Sequence, residues 1–256
     1  MRFDVITLFP ELFGPFLTCG VTRRAYESGL VEVRLWNPRD FADGNYRRVD
    51  DRPFGGGPGM VMLAEPLGLC LAAIRLERAS SIEPVVLFTP VGKSLTHSSV
   101  EFWSSSLGAV LICGRYEGID QRFIDEYVSH QISLGDFVMS GGEIAAMALL
   151  DAVTRLQPGV LNNEGSHQLD SFNPALDGLL DCPHYTRPEE WHGKKVPDEL
   201  MSGNHAHIAR WRRDQQLALT QQKRPELIHE ARVTLKLGVK DEAFLASVAA
   251  NSDANS

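Results

Sequence analysis

Between residues 2 and 156, short apolar runs alternate with amphipathic stretches, and this alternation constrains the fold more than any other feature of the chain. RFDVITLF (2–9), VEVRLW (31–36), PVVLFTP (84–90), GAVLICG (108–114) and HQISLGD (130–136) have the length and composition of strands. Helical periodicity covers residues 10–29, 66–79, 98–106, 119–127 and 142–156. Strands that alternate with helices predict an α/β domain with a mostly parallel sheet flanked by helices. The pattern then breaks. QPGVLNNEGSHQLDSFNPALDG (157–178) is polar, rich in turn formers and without a period. Beyond Pro188 helical patterning returns, strongest in HAHIARWRRDQQLALTQQKRPELI (205–228), with Ser202 or Asn204 placed to cap it. The expected organisation is an α/β domain over 1–159, a linker over 160–187, a small all-α domain over 188–250 and an unstructured tail over 251–256.

Composition narrows the function classes. A chain of 256 residues with 43% hydrophobic and 23% charged residues can build a sizeable soluble core. Cys19, Cys70, Cys113 and Cys182 are widely spaced, which reads as reduced thiols in a cytoplasmic protein and not as a disulfide frame or zinc site. The opening MRFDVITLFPEL lacks signal-peptide form, and no run is long enough to cross a membrane. The net charge of −8 speaks against a nucleic-acid partner in general. Residues 187–232, however, carry nine Lys/Arg against seven Asp/Glu, and phosphate binding needs only a local basic surface. Arg210, Arg213 and Trp211 fall on the best helix of that stretch. This suits an RNA surface, and equally an amphipathic helix with a buried tryptophan.

Three strand ends run into turns rich in glycine or proline: LFTPVGK (87–93), CGRYEGID (113–120) and SLGDFVMSGGE (133–143). Ligands of open α/β sheets sit outside the carboxyl ends of the strands, and glycine lets backbone amides come close to them. A βα turn needs glycine anyway, so one such loop means little; three in one domain point to a crevice. Phosphate fingerprints fail on spacing. VGKS lacks the first glycine of a Walker loop because Leu87 stands there, and FGGGPGM (54–60) ends in Met60 where G-x-G-x-x-G requires glycine. The charged residues Arg115, Glu117, Asp120, Asp136, Glu143 and Arg155 gather near these loops, with Asp170 and Asp181 further on. A carboxylate and an arginine facing one pocket suit proton abstraction with anion stabilisation, although surface ion pairs are the commoner use of such residues. DCPHYTRP (181–188) holds one Cys-x-His pair, too few ligands for a metal site.

In order along the chain, FDVITLFPELF, DDRPFGGGPGMV, CGRYEGIDQR, SLGDFVMSGGE, DAVTRLQPGVL, GLLDCPHYTRP and MSGNHAHIARWR resemble the bacterial tRNA (guanine-N1)-methyltransferases. That resemblance implies a knotted α/β fold of the SPOUT class, with a trefoil in the C-terminal part of the α/β domain, and an obligate homodimer with its active site at the subunit interface. It implies S-adenosylmethionine as methyl donor, tRNA as substrate, and N1 of guanosine 37, beside the anticodon, as acceptor; magnesium is a further implied cofactor. By the same resemblance the donor is wrapped by Phe88, Thr89 and Pro90, by Gly114, Tyr116 and Glu117, and by Ser133, Leu134, Gly135, Met139, Gly141 and Gly142. Asp170 matches the family's general base and Arg155 its catalytic arginine. Asp181 and His184 match residues that shape the guanine site, and Arg115 a tRNA-contacting position. Ala145 replaces a proline of the related pattern, and SFNPALDG is longer than the expected SFADG-type spacing. Rival readings are ribose 2′-O methylation on a related fold, an RNA-binding module without catalysis, and a nucleoside-triphosphate enzyme.

Overall fold

The computed structural model describes residues 1–79, 83–161 and 167–253 and divides into two compact units, split after residue 162. The first contains, in chain order, β1 (Arg2–Ile6), α1 (Phe13–Thr18), α2 (Arg23–Glu27), β2 (Glu32–Trp36), β3 (Asp50–Asp51), β4 (Val61–Met62), α3 (Ala64–Arg78), β5 (Val85–Ser94), α4 (His97–Ser104), β6 (Gly108–Ile112), α5 (Gln121–Tyr127), β7 (His130–Ser133) and α6 (Glu143–Arg155). Five of these strands form one sheet in the order β2-β1-β6-β5-β7, with every neighbouring pair parallel. Successive strand residues point to opposite faces, so each face acquires its own core. Phe3, Val5, Val86, Ala109 and Leu111 pack with Leu149, Leu150 and Val153 of α6. Ile6, Val85, Val110 and Ile112 pack with Leu67, Leu71 and Ile74 of α3 and Phe123 of α5. β6 is buried at every residue, as a parallel strand covered on both faces must be.

Periodicity predicts one helical stretch over residues 10–29, and the structure breaks it. A 3-10 turn at Pro10–Leu12 leads into α1, and α2 starts only at Arg23. Gly20 between them takes a φ of +79°, a left-handed conformation that ends a helix. Between β3 and β4, residues 52–60 form a loop in which Gly55, Gly56, Gly57 and Gly59 all have positive φ. That backbone accounts for the glycine run without any phosphate role.

The second unit contains 3-10 turns at His167–Leu169 and Pro174–Leu176, the antiparallel pair β8 (Glu190–Trp191) and β9 (Lys194–Lys195), and helices α7 (Asp198–Met201), α8 (His205–Lys223), α9 (Pro225–Val233) and α10 (Val239–Asp253). Its core is Leu179, Leu217, Ile228, Ala231 and Leu245. Leu179 thus brings the polar stretch expected as a linker into the packing of this unit. Leu180 adds a backbone N–H donated to the buried Thr220 hydroxyl at 3.1 Å. Of the two candidate caps for α8, Asn204 is used: its side chain accepts from the amides of Ala206 and His207 at 3.1 and 3.2 Å. The long helical pattern 205–228 is divided by Pro225, which has no N–H for an intrahelical bond and so opens α9 instead of prolonging α8. α10 runs to Asp253, into the stretch expected as a tail, and residues 254–256 lie outside the described residues.

Candidate functional site

Three loops at the carboxyl ends of β5, β6 and β7 converge on a cavity of about 480 Å³. That volume lies within the roughly 300–1,000 Å³ usual for small-molecule sites. Phe88, Thr89 and Pro90 line it from the β5 side, Gly114, Tyr116 and Glu117 from the β6 side, and Ser133, Leu134, Met139, Gly141 and Gly142 from beyond β7. Gly135 does not line the cavity. Its amide donates to the Ser133 hydroxyl at 3.1 Å, and its carbonyl accepts from the same hydroxyl, which closes the turn after β7. Val91, Ile119, Phe137 and Val138, within the three strand-end segments but not singled out there, also line the cavity, as do Ile124 and Gln131 from outside them. The sheet order β6-β5-β7 brings these residues together.

Glycine is required here because the backbones approach closely. The Gly142 amide donates to the Gly114 carbonyl at 3.0 Å. A Cβ on Gly142 would stand 2.8 Å from the Cys113 Cα, and one on Gly92 would stand 2.5 Å from the Ile132 amide nitrogen. At Gly141 a Cβ would meet the Arg115 side chain, 2.2 Å from its Nε. Arg115 holds these loops together. Its Nη1 donates to the Ser140 carbonyl at 3.0 Å, its Nε and Nη2 lie 3.1 and 2.9 Å from the Glu143 carboxylate, and its guanidinium lies 4.4 Å over the Phe9 ring. Glu143 opens α6, is 1% exposed, and also accepts from the Thr7 hydroxyl at 2.9 Å. A buried carboxylate is tolerated when it is paired and hydrogen-bonded. Beneath it, burial foremost and then the Glu143 charge push the Cys113 thiol up.

The glycine loop 52–60 braces the loop after β6. The Glu117 amide donates to the Met60 carbonyl at 2.9 Å, and the Met62 amide to the Gly118 carbonyl at 2.9 Å. Tyr116 takes a left-handed φ of +59°; burial, then its hydrogen bond to Asp50, raises its pKa. Asp120 has a local role. It caps α5, and the Arg122 guanidinium holds its carboxyl down at about 2. Among the described lining residues the charged groups are Arg115, already paired, and Glu117. The cavity therefore has no spare cation for a phosphate and offers one carboxylate, an environment suited to an unphosphorylated, cationic ligand.

The other expected site residues are not among those that line this cavity. Arg155 ends α6. Asp170 follows the 3-10 turn in the second unit, its amide donating to the His167 carbonyl at 3.3 Å. Asp181 accepts from the Cys182 amide at 2.6 Å and pairs with His184 at 2.8 Å, and its own amide donates to the Ser171 hydroxyl at 2.9 Å. The longer segment folds as a closed turn: the Phe172 amide donates to the Leu179 carbonyl at 2.8 Å, and the Asn173 side chain accepts from Ala175. Residues 173–178 therefore loop out between the bonded Phe172 and Leu179. Arg210 donates to Asp214 and Asp241, and Arg213 to Asp241 and Asp177, all from within the second unit. Asp177 is thus a structural partner of Arg213. Cys19, Cys70, Cys113 and Cys182 are free thiols. Among the described residues, no group of three or more His, Cys, Asp or Glu is placed to hold a metal, and no helix is long and apolar enough to cross a membrane.

Residues 1–230 match a family model described as tRNA (Guanine-1)-methyltransferase TrmD. A tRNA (guanine-N(1)-)-methyltransferase of Polaromonas sp. (strain JS666) is 72% identical over 256 residues, covering 99% of each chain. One of Albidiferax ferrireducens is 71% identical over 247 residues, covering 96% of this chain and 99% of the relative. One of Bordetella pertussis is 56% identical over 252 residues, covering 97% and 98%.

Proposed function

The chain belongs to the tRNA (guanine-1)-methyltransferase family, and from that premise we propose that it transfers a methyl group from S-adenosylmethionine to N1 of guanosine 37 of tRNA, supporting maintenance of the reading frame. It is a tRNA (guanine-N1)-methyltransferase. The observation that carries the choice of donor is the cavity of the first unit. Its walls are glycine-dependent backbone with apolar side chains, its one unpaired charged group is a carboxylate, and no cation awaits a phosphate. Phe88, Thr89, Pro90, Gly114, Tyr116, Glu117, Ser133, Leu134, Met139, Gly141 and Gly142 would hold the donor, with Gly135 shaping the last loop. When bound, S-adenosylmethionine supplies an electrophilic methyl group on a sulfonium centre.

Guanine N1 bears a proton at neutral pH and is a poor nucleophile until that proton is removed. Asp170 accepts the proton, and Arg155 stabilises the negative charge that moves onto O6. Asp181 and His184 shape the guanine pocket. Arg115 acts by holding the loops, and Arg210 and Arg213 by fixing the helix that faces the RNA. Asp170 and Arg155 belong to different units of the chain, and the proposed assembly is a homodimer in which tRNA orders Asp170 of one subunit at the cavity of the other. The return of the chain from β6 past β5 to β7, with Ile132 in register with both Phe88 and Lys93, supports a knotted topology of the SPOUT class. The helices after α7 form the tRNA-binding part, and the enzyme works in the cytoplasm. No preformed cluster for magnesium exists among the described residues, and no step is derived through that ion. The test is incubation with methyl-labelled S-adenosylmethionine and an unmodified tRNA transcript, followed by nuclease digestion. The expected product is 1-methylguanosine from position 37; label on a ribose, or none, overturns the reading.

A further inference from the structure

The second unit has a cavity of about 510 Å³ of whose lining the methyl-transfer reading uses only His184. Tyr185 and Trp211 form one wall, their rings edge to face with centroids 6.0 Å apart, and Ile208 adds apolar lining. Tyr185 is 49% exposed, so a flat aromatic surface stands open at the mouth. Arg187 and Arg212 also line the cavity, with Glu189 as its one carboxylate among the described residues. These two arginines differ from their neighbours. Arg210 and Arg213 are consumed by Asp214, Asp241 and Asp177, whereas Arg187 and Arg212 form no ion pair among the described residues. The basic excess of this region is therefore available at the cavity and not along α8 as a whole.

An aromatic slot beside two unpaired guanidinia matches one unstacked nucleobase and its flanking phosphates. Stacking binds the base face, and arginine binds the phosphate oxygens in a forked geometry. A base within a duplex cannot enter such a slot, whereas one in a single-stranded loop can. His184 lines the same cavity while paired to Asp181, the pair to which the guanine pocket is assigned above. We infer that this cavity binds a second base of the tRNA anticodon loop, one other than the methylated guanine. This rests on the tRNA reading of the preceding section and extends it to a defined subsite.

The test uses the full-length protein with Tyr185→Ala, Tyr185→Phe and Arg212→Gln, an unmodified tRNA transcript and S-adenosylmethionine. Tyr185→Ala weakens tRNA binding about 5- to 150-fold, the range for loss of one stacked base, and leaves cofactor affinity unchanged. Tyr185→Phe keeps the ring and stays within about twofold of the parent, well below that stacking loss. Arg212→Gln weakens binding and lowers the salt slope by about one. Transcripts made abasic one loop position at a time identify the base. At one position other than the target guanine, the abasic penalty seen with the parent disappears in Tyr185→Ala. A folded Tyr185→Ala with parental tRNA affinity, or abasic penalties that add at every position, overturns the subsite, and a slot used by a protein partner gives that same result. Should Tyr185→Ala not fold, Tyr185→Phe and Arg212→Gln carry the abasic scan: a penalty relieved at one position in Arg212→Gln upholds the subsite, and full additivity in both overturns it. A parent protein that methylates tRNA while Tyr185→Ala binds normally removes only the subsite. A parent that neither binds nor methylates tRNA removes the reading beneath it.

Discussion

In the first unit, Glu143 is 1% exposed and its carboxylate is shared between Thr7 and Arg115; in the second, Asp177, Asp214 and Asp241 tie down Arg210 and Arg213 at part-buried positions on the surface. The first arrangement ties the loops after β6 and β7 to the segment after β1 before any ligand arrives. The second fixes a helix, while His184, paired to Asp181, and the neighbouring Arg187 and Arg212 face solvent. The contrast teaches a division of labour. On the proposed reading, a small cofactor would enter a preformed concave site held within the first unit, whereas a large RNA would be met by groups of the second unit that complete their geometry only upon it.

The division breaks most sharply at Asp170. Asp170→Asn keeps size and hydrogen bonding but cannot take a proton, so single-turnover methyl transfer falls by a factor on the order of 10²–10⁴, with affinities for S-adenosylmethionine and tRNA nearly parental. Asp177→Asn weakens only its pair with Arg213 and leaves the rate close to parental; equal rates for the two variants would remove Asp170 as the base. The next effect lies in the first unit. Arg115→Ala leaves Glu143 buried without its cation, and loss of one partner of a buried pair costs about 3–5 kcal/mol. Urea unfolding should show that loss, together with loss of cofactor binding; unchanged stability would mean that the loops are not held by this pair. Gly142→Ala forces a Cβ to within 2.8 Å of the Cys113 Cα, an overpacking strain of about 1–3 kcal/mol. Calorimetry should find weaker cofactor binding there than in Gly114→Ala, whose Cβ would have ordinary contacts at 3.7 Å or more.

The smallest effect concerns the second unit and acid. Burial pushes the Asp241 carboxyl up, but hydrogen bonds from Arg213 and Arg210 outweigh it and hold the group below its usual value. A carboxylate depressed in the folded state contributes stability that is fully present above its unfolded pKa of about 3.9 and is lost as pH falls through the folded value. The urea midpoint should therefore drop as pH is lowered below about 4, and Asp241→Asn should make that drop shallower.

Much of the first unit was legible in the sequence because its signals are local. GAVLICG announces a strand buried on both faces, and the turns after β5, β6 and β7 carry the glycines that close approach requires. The Arg115–Glu143 pair joins residues 28 apart, and the Thr7–Glu143 bond joins residues 136 apart; no period or motif relates such positions, so Glu143 read only as one charge among several. The second unit was less legible for the same reason. Arg210 and Arg213 on an amphipathic helix suggest an RNA face, yet their partners Asp177 and Asp241 come from segments 36 and 28 residues distant. The polar stretch around Leu179 lacks a period, which hid its part in a core. The proposed donor-site residues and the proposed base rest on motif resemblance, because several glycine turns with scattered carboxylates do not specify a ligand.

Hydrogen exchange on the full-length protein, with S-adenosylhomocysteine alone and then with tRNA added, tests the division of labour most directly. S-adenosylhomocysteine alone should slow exchange in residues 87–91, 114–118 and 133–142 and leave residues 167–187 unchanged. Protection of residues 167–187 should appear only when tRNA is added. Protection of residues 167–187 by S-adenosylhomocysteine alone, or cavity loops that gain protection only with tRNA, would contradict the account.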